Sequence, residues 1–160
     1  MSIDLNLATH YVFEVNASAE TTFLLLSDIS KASSLHPTLH SIKDMGKGIY
    51  RWEMKKYGAG KFHVQTVYTC QYYSDAVAGT VVWTPVEGEG NAQVSGSFIV
   101  KAQGKNAIVE ANIEMNGALP LPAIMKKMAL QMIASENRKL TEKYIANLMN
   151  ELDGGRIIRL

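Results

Sequence analysis

The stretch GALPLPAIMKKMALQMI, residues 117–133, decides how the rest of the chain is read. Gly117, Pro120 and Pro122 break the strand-like pattern before them, because proline fixes φ and has no amide to give a ladder. Beyond Pro122 the apolar period becomes helical. At ~100° per residue Met125, Met128, Ala129, Met132 and Ile133 share one face. The apolar stripe then drifts through Leu140 and Tyr144 to Leu148, which predicts one helix from about residue 122 to 152.

Upstream, residues 38–116 run with a period of two. IYRWEMKK sets Tyr50, Trp52 and Met54 against Arg51, Glu53 and Lys55. KFHVQTVYTCQYY aligns Phe62, Val64, Thr66, Tyr68, Cys70 and Tyr72. Later runs align Gly79, Val81 and Trp83, then Val94, Gly96, Phe98 and Val100, then Ala107, Val109, Ala111, Ile113 and Met115. Short turns (GKG, YGAG, EGEGN, QGK) separate most of them, as consecutive antiparallel pairing requires. An earlier strand, THYVFEV, precedes two short helices. Ser18 caps the first and Ser30 the second, and Pro37 ends the second. The expectation is an α+β fold: a seven-stranded antiparallel sheet wrapped around a long C-terminal helix, with two short helices after the first strand. That helix is the only element long enough to cover the sheet's apolar face.

Composition narrows the class. With 160 residues, 47% apolar and 19% charged, the chain reads as one domain over 1–153, followed by a frayed tail at 154–160. A net charge of +1 supplies no basic field for nucleic acid. Cys70 is the only cysteine, so no intrachain disulfide forms, and a reducing, cytoplasmic setting is expected. No leader-like start and no run of ~20 apolar residues is seen, so stable membrane insertion is not expected.

Small residues at Gly79, Gly96, Ala107 and Ala111 interrupt the large aromatics of the inward face. They leave room for a ligand cavity, walled by Tyr and Trp and faced by adaptable methionines. Equally, the methionines are ordinary core and the glycines mark bulges. On the cavity reading the ligand-binding candidates are Tyr50, Trp52, Val64, Tyr68, Tyr72, Val81, Trp83, Phe98, Val109, Met125, Met128, Met132 and Glu136. Glu136 falls between Met132 and Leu140 by helical angle. It either enters the cavity, where burial would raise its pKa, or sits at the boundary of the drifting stripe.

The order of elements resembles the helix-grip superfamily of birch pollen allergen, START lipid-transfer domains and polyketide cyclases, also called SRPBCC. VNASAETTFLLLSDI at 15–29 is similar to the family's opening. HPTLHSI at 36–42 stands where members often carry Trp-x-x-Pro, with His36 in the usual aromatic neighbourhood. MNGALPLPAIMKKMA at 115–129 resembles the entry to the last helix in cyclase-like members and in those associated with carbon monoxide dehydrogenase. The resemblance implies a hydrophobic cavity between sheet and helix.

Chemistry-bearing motifs are sparse. Pro37 separates His36 from His40, against a helical metal pair, and all four histidines read as surface groups. Cys70 has no cationic neighbour on its face and reads as a small buried hydrophobe. No catalytic group, metal or cofactor is assigned. The leading expectation is a carrier or binding protein for a hydrophobic small molecule (lipid, quinone or polyketide-like). Its rival is a cyclase or dehydratase using cavity tyrosines or Glu136. A third reading, an accessory protein in metalloenzyme maturation or membrane delivery, draws on the last of these resemblances and on Lys126 and Lys127 beside the methionine face.

Overall fold

A computed structural model describes residues 3–59, 62–119 and 121–159, with the side chains of 57–64 outside that description. Strand β1 (Ile3–Val15) leads into helices α1 (Ala19–Ser27) and α2 (Ile29–Ser34). Eight strands follow: β2 (Leu39–Gly46), β3 (Ile49–Met54), β4 (Tyr57–Ala59), β5 (Phe62–Val64), β6 (Val67–Asp75), β7 (Thr80–Gly90), β8 (Ala92–Gln103) and β9 (Asn106–Leu119). A 3₁₀ turn at Ala123–Met125 opens α3 (Lys126–Glu151), and β10 (Gly155–Ile158) closes the chain.

The main sheet is antiparallel, in the order β10-β1-β9-β8-β7-β6-β3-β2, while β4 and β5 form a separate two-stranded ribbon. The α+β architecture is the expected one, with eight strands in the main sheet in place of seven. The additional strand comes from the tail. It is not frayed: Val12 to Val15 pair with Ile158 to Gly155. Asp153 and Gly154, at φ 62° and 97°, reverse the chain after α3, and the Gly154 amide donates to the Met149 carbonyl at 2.7 Å. Only glycine reaches the larger of those angles without strain. The physical reason for the docking is β1 itself, whose outer edge would otherwise stand unpaired.

Strand β1 also begins earlier than THYVFEV suggested. Ile3, Leu5 and Leu7 alternate with exposed Asp4 and Asn6 and pair with the far end of β9. Ser18 caps α1 as expected, its Oγ accepting from the Thr21 amide at 3.1 Å. The cap of α2 is Asp28, accepting from the Lys31 amide at 3.2 Å, and not Ser30. A carboxylate there satisfies an orphan amide and also opposes the helix dipole.

The apolar interior falls into two clusters. The larger joins Phe13, Val15, Leu26, Val81 and Val109 to Tyr144, Ile145, Leu148 and Leu152 at the C-terminal end of α3. The smaller joins Ile3, Leu119 and Leu121 to Ala129 at its N-terminal end.

A chain stopped at Gly154 loses the β10 ladder, the Arg156–Glu14 pair at 2.8 Å and the half-buried Ile157. At a net ~1 kcal/mol per hydrogen bond, its unfolding free energy should fall by about 2 kcal/mol or more in urea titrations. An unchanged midpoint would show that the tail contributes no structure.

Candidate functional site

Between the two clusters lies a cavity of about 480 Å³. The register of the sheet builds its curved wall. Trp52 on β3 stands opposite Tyr68 on β6, Tyr72 opposite Trp83 on β7, and Val81 opposite Phe98 on β8. Cross-strand partners share a face, so the side chains form a continuous aromatic surface. Trp52 and Tyr68 are stacked with centroids 5.6 Å apart and planes at 17°. Tyr72 lies 5.8 Å from Trp83, and Trp83 lies 5.1 Å from Phe98. The Trp52 indole N–H donates to the Tyr72 hydroxyl at 2.9 Å, tying the two halves of this surface together.

Helix α3 supplies the opposite wall. Met125, Met128, Met132, Glu136, Leu140 and Tyr144 line the cavity at the i, i+3, i+4 spacing of one face. Met128 and Met132 remain 56% and 53% exposed, and Ile124 beside them is 94% exposed. They therefore form a rim and not a packed core. Lys55 and Lys56, both exposed, border the same opening.

Ten of the thirteen candidates from the sequence thus line the cavity: Trp52, Tyr68, Tyr72, Val81, Trp83, Phe98, Met125, Met128, Met132 and Glu136. Two do not. Val109 is fully buried between Phe13 and Val100 in the filled part of the core. Tyr50 packs edge-on against Tyr72, centroids 5.7 Å apart, beyond the end of the cavity lining. The side chain of Val64 is outside the described residues.

The small residues do not make the room. Ala107 and Ala111 belong to the filled core, and Gly79 (φ 71°) serves a turn. Gly96 lies under the Trp83 indole, where a Cβ would meet Trp83 Cζ2 at 2.5 Å and crowd the Asn112 carbonyl. Glycine here lets a large ring lie flat on the sheet.

Sequence reasoning missed His36, Leu5, Leu7 and Tyr144 as lining residues. The alternation of Ile3, Leu5 and Leu7 was the signal for the strand residues. His36 is not a surface histidine. Its ring lies 4.8 Å from that of Tyr144 and 6.3 Å from that of Trp52. Its Nδ1 accepts from the Thr38 amide at 3.2 Å. Burial disfavours the cation and lowers its pKa to about 4.

Two cavity tyrosines and the cysteine are likewise held neutral. Burial raises Tyr68 and Tyr72 well above the usual phenol value and pushes Cys70 up to about 12. The Cys70 thiol donates to the Val94 carbonyl at 3.2 Å, and the Tyr144 hydroxyl donates to the Ala32 carbonyl at 3.1 Å. Among the described residues no three metal-ligating side chains stand together.

No protein-family model and no curated protein matches the chain. Solved structures do. A conserved protein from Geobacillus kaustophilus is 12% identical, with TM-score 0.67 over 97% of this chain and 100% of that one. A START superfamily protein from Mycobacterium smegmatis is 14% identical, with TM-score 0.64 over 94% and 97%. The Zhui aromatase/cyclase from Streptomyces sp. R1128 is 10% identical, with TM-score 0.62 over 96% and 94%. The chain has the START-like helix-grip fold.

Two outcomes test this geometry. Gly96→Ala should cost about 2 kcal/mol by overpacking and alter the near-ultraviolet circular dichroism as Trp83 is displaced. His36 should make stability depend on pH in a defined window. The unfolded chain takes up its proton near pH 6.5 and the folded chain only near pH 4, so stability falls as pH drops between those values. The loss should reach at most about 3 kcal/mol. Urea midpoints of the parent and of His36→Phe, compared across pH 7 to 4, isolate it; parallel curves would exclude a buried neutral imidazole.

Proposed function

We propose that this chain binds and carries an apolar small molecule in the cavity between sheet and α3. The observation that carries the reading is the cavity itself: about 480 Å³, walled by aromatic and aliphatic side chains, with a methionine rim. That volume falls in the range of small-molecule sites, which typically pair apolar walls with a few orienting polar groups. The fold is compatible with it, since the structural neighbours include a START superfamily protein and an aromatase/cyclase.

A cyclase-type enzyme would need an acid and a base within hydrogen-bond reach of a substrate and, in the usual arrangement, of each other. Tyr72 and Tyr144 engage Trp52 and Ala32, and no hydrogen bond among the described residues joins Glu136 to His36, Tyr68 or Tyr72. The carrier reading is therefore preferred. Among apolar cargoes, a ring-containing molecule suits the stacked aromatic wall better than a flexible chain. Planar ligands lose little conformational entropy on binding.

Trp52 and Trp83 are the protein's two tryptophans, and both line the cavity, so binding reports itself by quenching. Titration with neutral 1-aminoanthracene should give one saturable site. Val94→Phe places a ring in the void; it should weaken uptake at least tenfold while stability changes by less than ~1 kcal/mol, because a filled core would lose ~1–3 kcal/mol. A parent that never takes up the probe, with a Val94→Phe variant that unfolds, would mean a filled core and no carrier.

A further inference from the structure

We propose that His36 is the specificity-determining donor of this cavity, its Nε2–H binding an uncharged carbonyl oxygen, of ketone or quinone type, on an otherwise apolar ligand. This rests on the carrier reading. The tautomer follows from geometry. The Thr38 amide can only donate, and it points at Nδ1 at 3.2 Å, so Nδ1 presents its lone pair. The single proton of a neutral imidazole then sits on Nε2. The ring's depressed pKa, about 4, keeps it in that neutral form at physiological pH.

The ring is fixed as well as neutral. Tyr144 lies against it at 4.8 Å, Trp52 meets it edge-on at 6.3 Å, and Pro37 precedes the Thr38 amide that holds it. No described residue accepts from Nε2. The other interior donors are largely committed: the Trp52 N–H to Tyr72, and the Tyr144 hydroxyl to the Ala32 carbonyl. Two phenols remain as competitors: Tyr68, and Tyr72, whose hydroxyl accepts from Trp52 and keeps its own proton to give.

Charge decides what kind of acceptor is taken. The cavity's cations, Lys55 and Lys56, are exposed at the opening, so a carboxylate drawn inside would lose its hydration without a counter-ion. A carbonyl loses far less and gains the His36 hydrogen bond. A ligand with no acceptor leaves the imidazole N–H unpaired.

Three probes with one ring frame test this: 9-fluorenone, fluorene and fluorene-9-carboxylate, followed by tryptophan quenching. The parent should bind fluorenone about five- to tenfold tighter than fluorene and the carboxylate most weakly. The carbonyl stretch of bound fluorenone should fall below its value in hexane. His36→Phe keeps the ring contacts and removes the donor, so it should bind fluorenone and fluorene equally, with the stretch restored to the hexane value. Tyr68→Phe and Tyr72→Phe should each keep both the preference and the shift. Equal binding of fluorene and fluorenone by the parent overturns the role of His36 and leaves the carrier reading intact. So does a preference that survives His36→Phe, or one that disappears in Tyr68→Phe or Tyr72→Phe, or a carboxylate bound most tightly. If His36→Phe does not fold, the parent, Tyr68→Phe and Tyr72→Phe still decide, because an unshifted stretch in any of them overturns the proposal. Failure of all three probes to bind removes both readings.

Discussion

Helix α3 is pinned by apolar contacts at both ends and tethered to β1 between them, Asn137 donating to Thr9 at 3.1 Å and Tyr11 to Glu142 at 2.9 Å, and the site is the space these anchors leave unfilled. Its C-terminal end is held by Ile145, Leu148 and Leu152, each at most 2% exposed, in the cluster that includes Phe13, Val15, Val81 and Val109. Its N-terminal end rests through Ala129 on Ile3, Leu119 and Leu121. A helix of 26 residues is a rod about 39 Å long and does not bend sharply without proline, a bulge or an inserted group. Along its middle the rod is tied to the β1 side of the sheet, while the face carrying Met132, Glu136 and Leu140 looks across the cavity to the aromatic wall of β3, β6, β7 and β8. Side chains too short to bridge the gap leave it open.

The same constraint explains the electrostatics. The tyrosines and the histidine that face the gap are desolvated by its walls. The result is a row of tyrosines raised in pKa and one lowered histidine, all neutral, with the Cys70 thiol raised in the packed core beside them. These buried polar atoms act through hydrogen bonds and not through charge. Most are used within the protein, as in the Trp52–Tyr72 and Tyr144–Ala32 bonds. The wall is thereby made rigid, and the orienting work falls to the few donors left over.

Much of this was legible in the sequence because alternation and helical spacing are local signals. Trp52, Tyr68, Tyr72, Trp83 and Phe98 share a face by parity alone, and the pairing of β3, β6, β7 and β8 keeps them together. Parity names a face, however, and not a position along it. Val109 and Tyr50 have the right parity and lie beyond the cavity's ends. The docking of β10 was not legible, because four residues carry too little pattern and the strand exists only against the edge of β1. His36 was not legible either. It sits in a connection with no period, and its burial comes from Tyr144, 108 positions away in the chain, meeting it from α3. Gly96 was read as empty space when it is the seat of a tryptophan ring, a contact that exists only across strands.

The methionines of α3 follow from where the helix is least supported. The half bordering the opening is anchored by four buried side chains, one of them an alanine, while the other half joins a cluster that includes Phe13, Leu26 and Val109. Local opening is favoured where few apolar contacts must be broken. A branched aliphatic at positions 128 and 132 would fix one shape on a rim that is about half exposed. The unbranched thioether of methionine accepts several rotamers at little cost and still covers apolar surface. Its place here is set by the gap between the two anchors: the rim must shield an aromatic wall from water without closing on it.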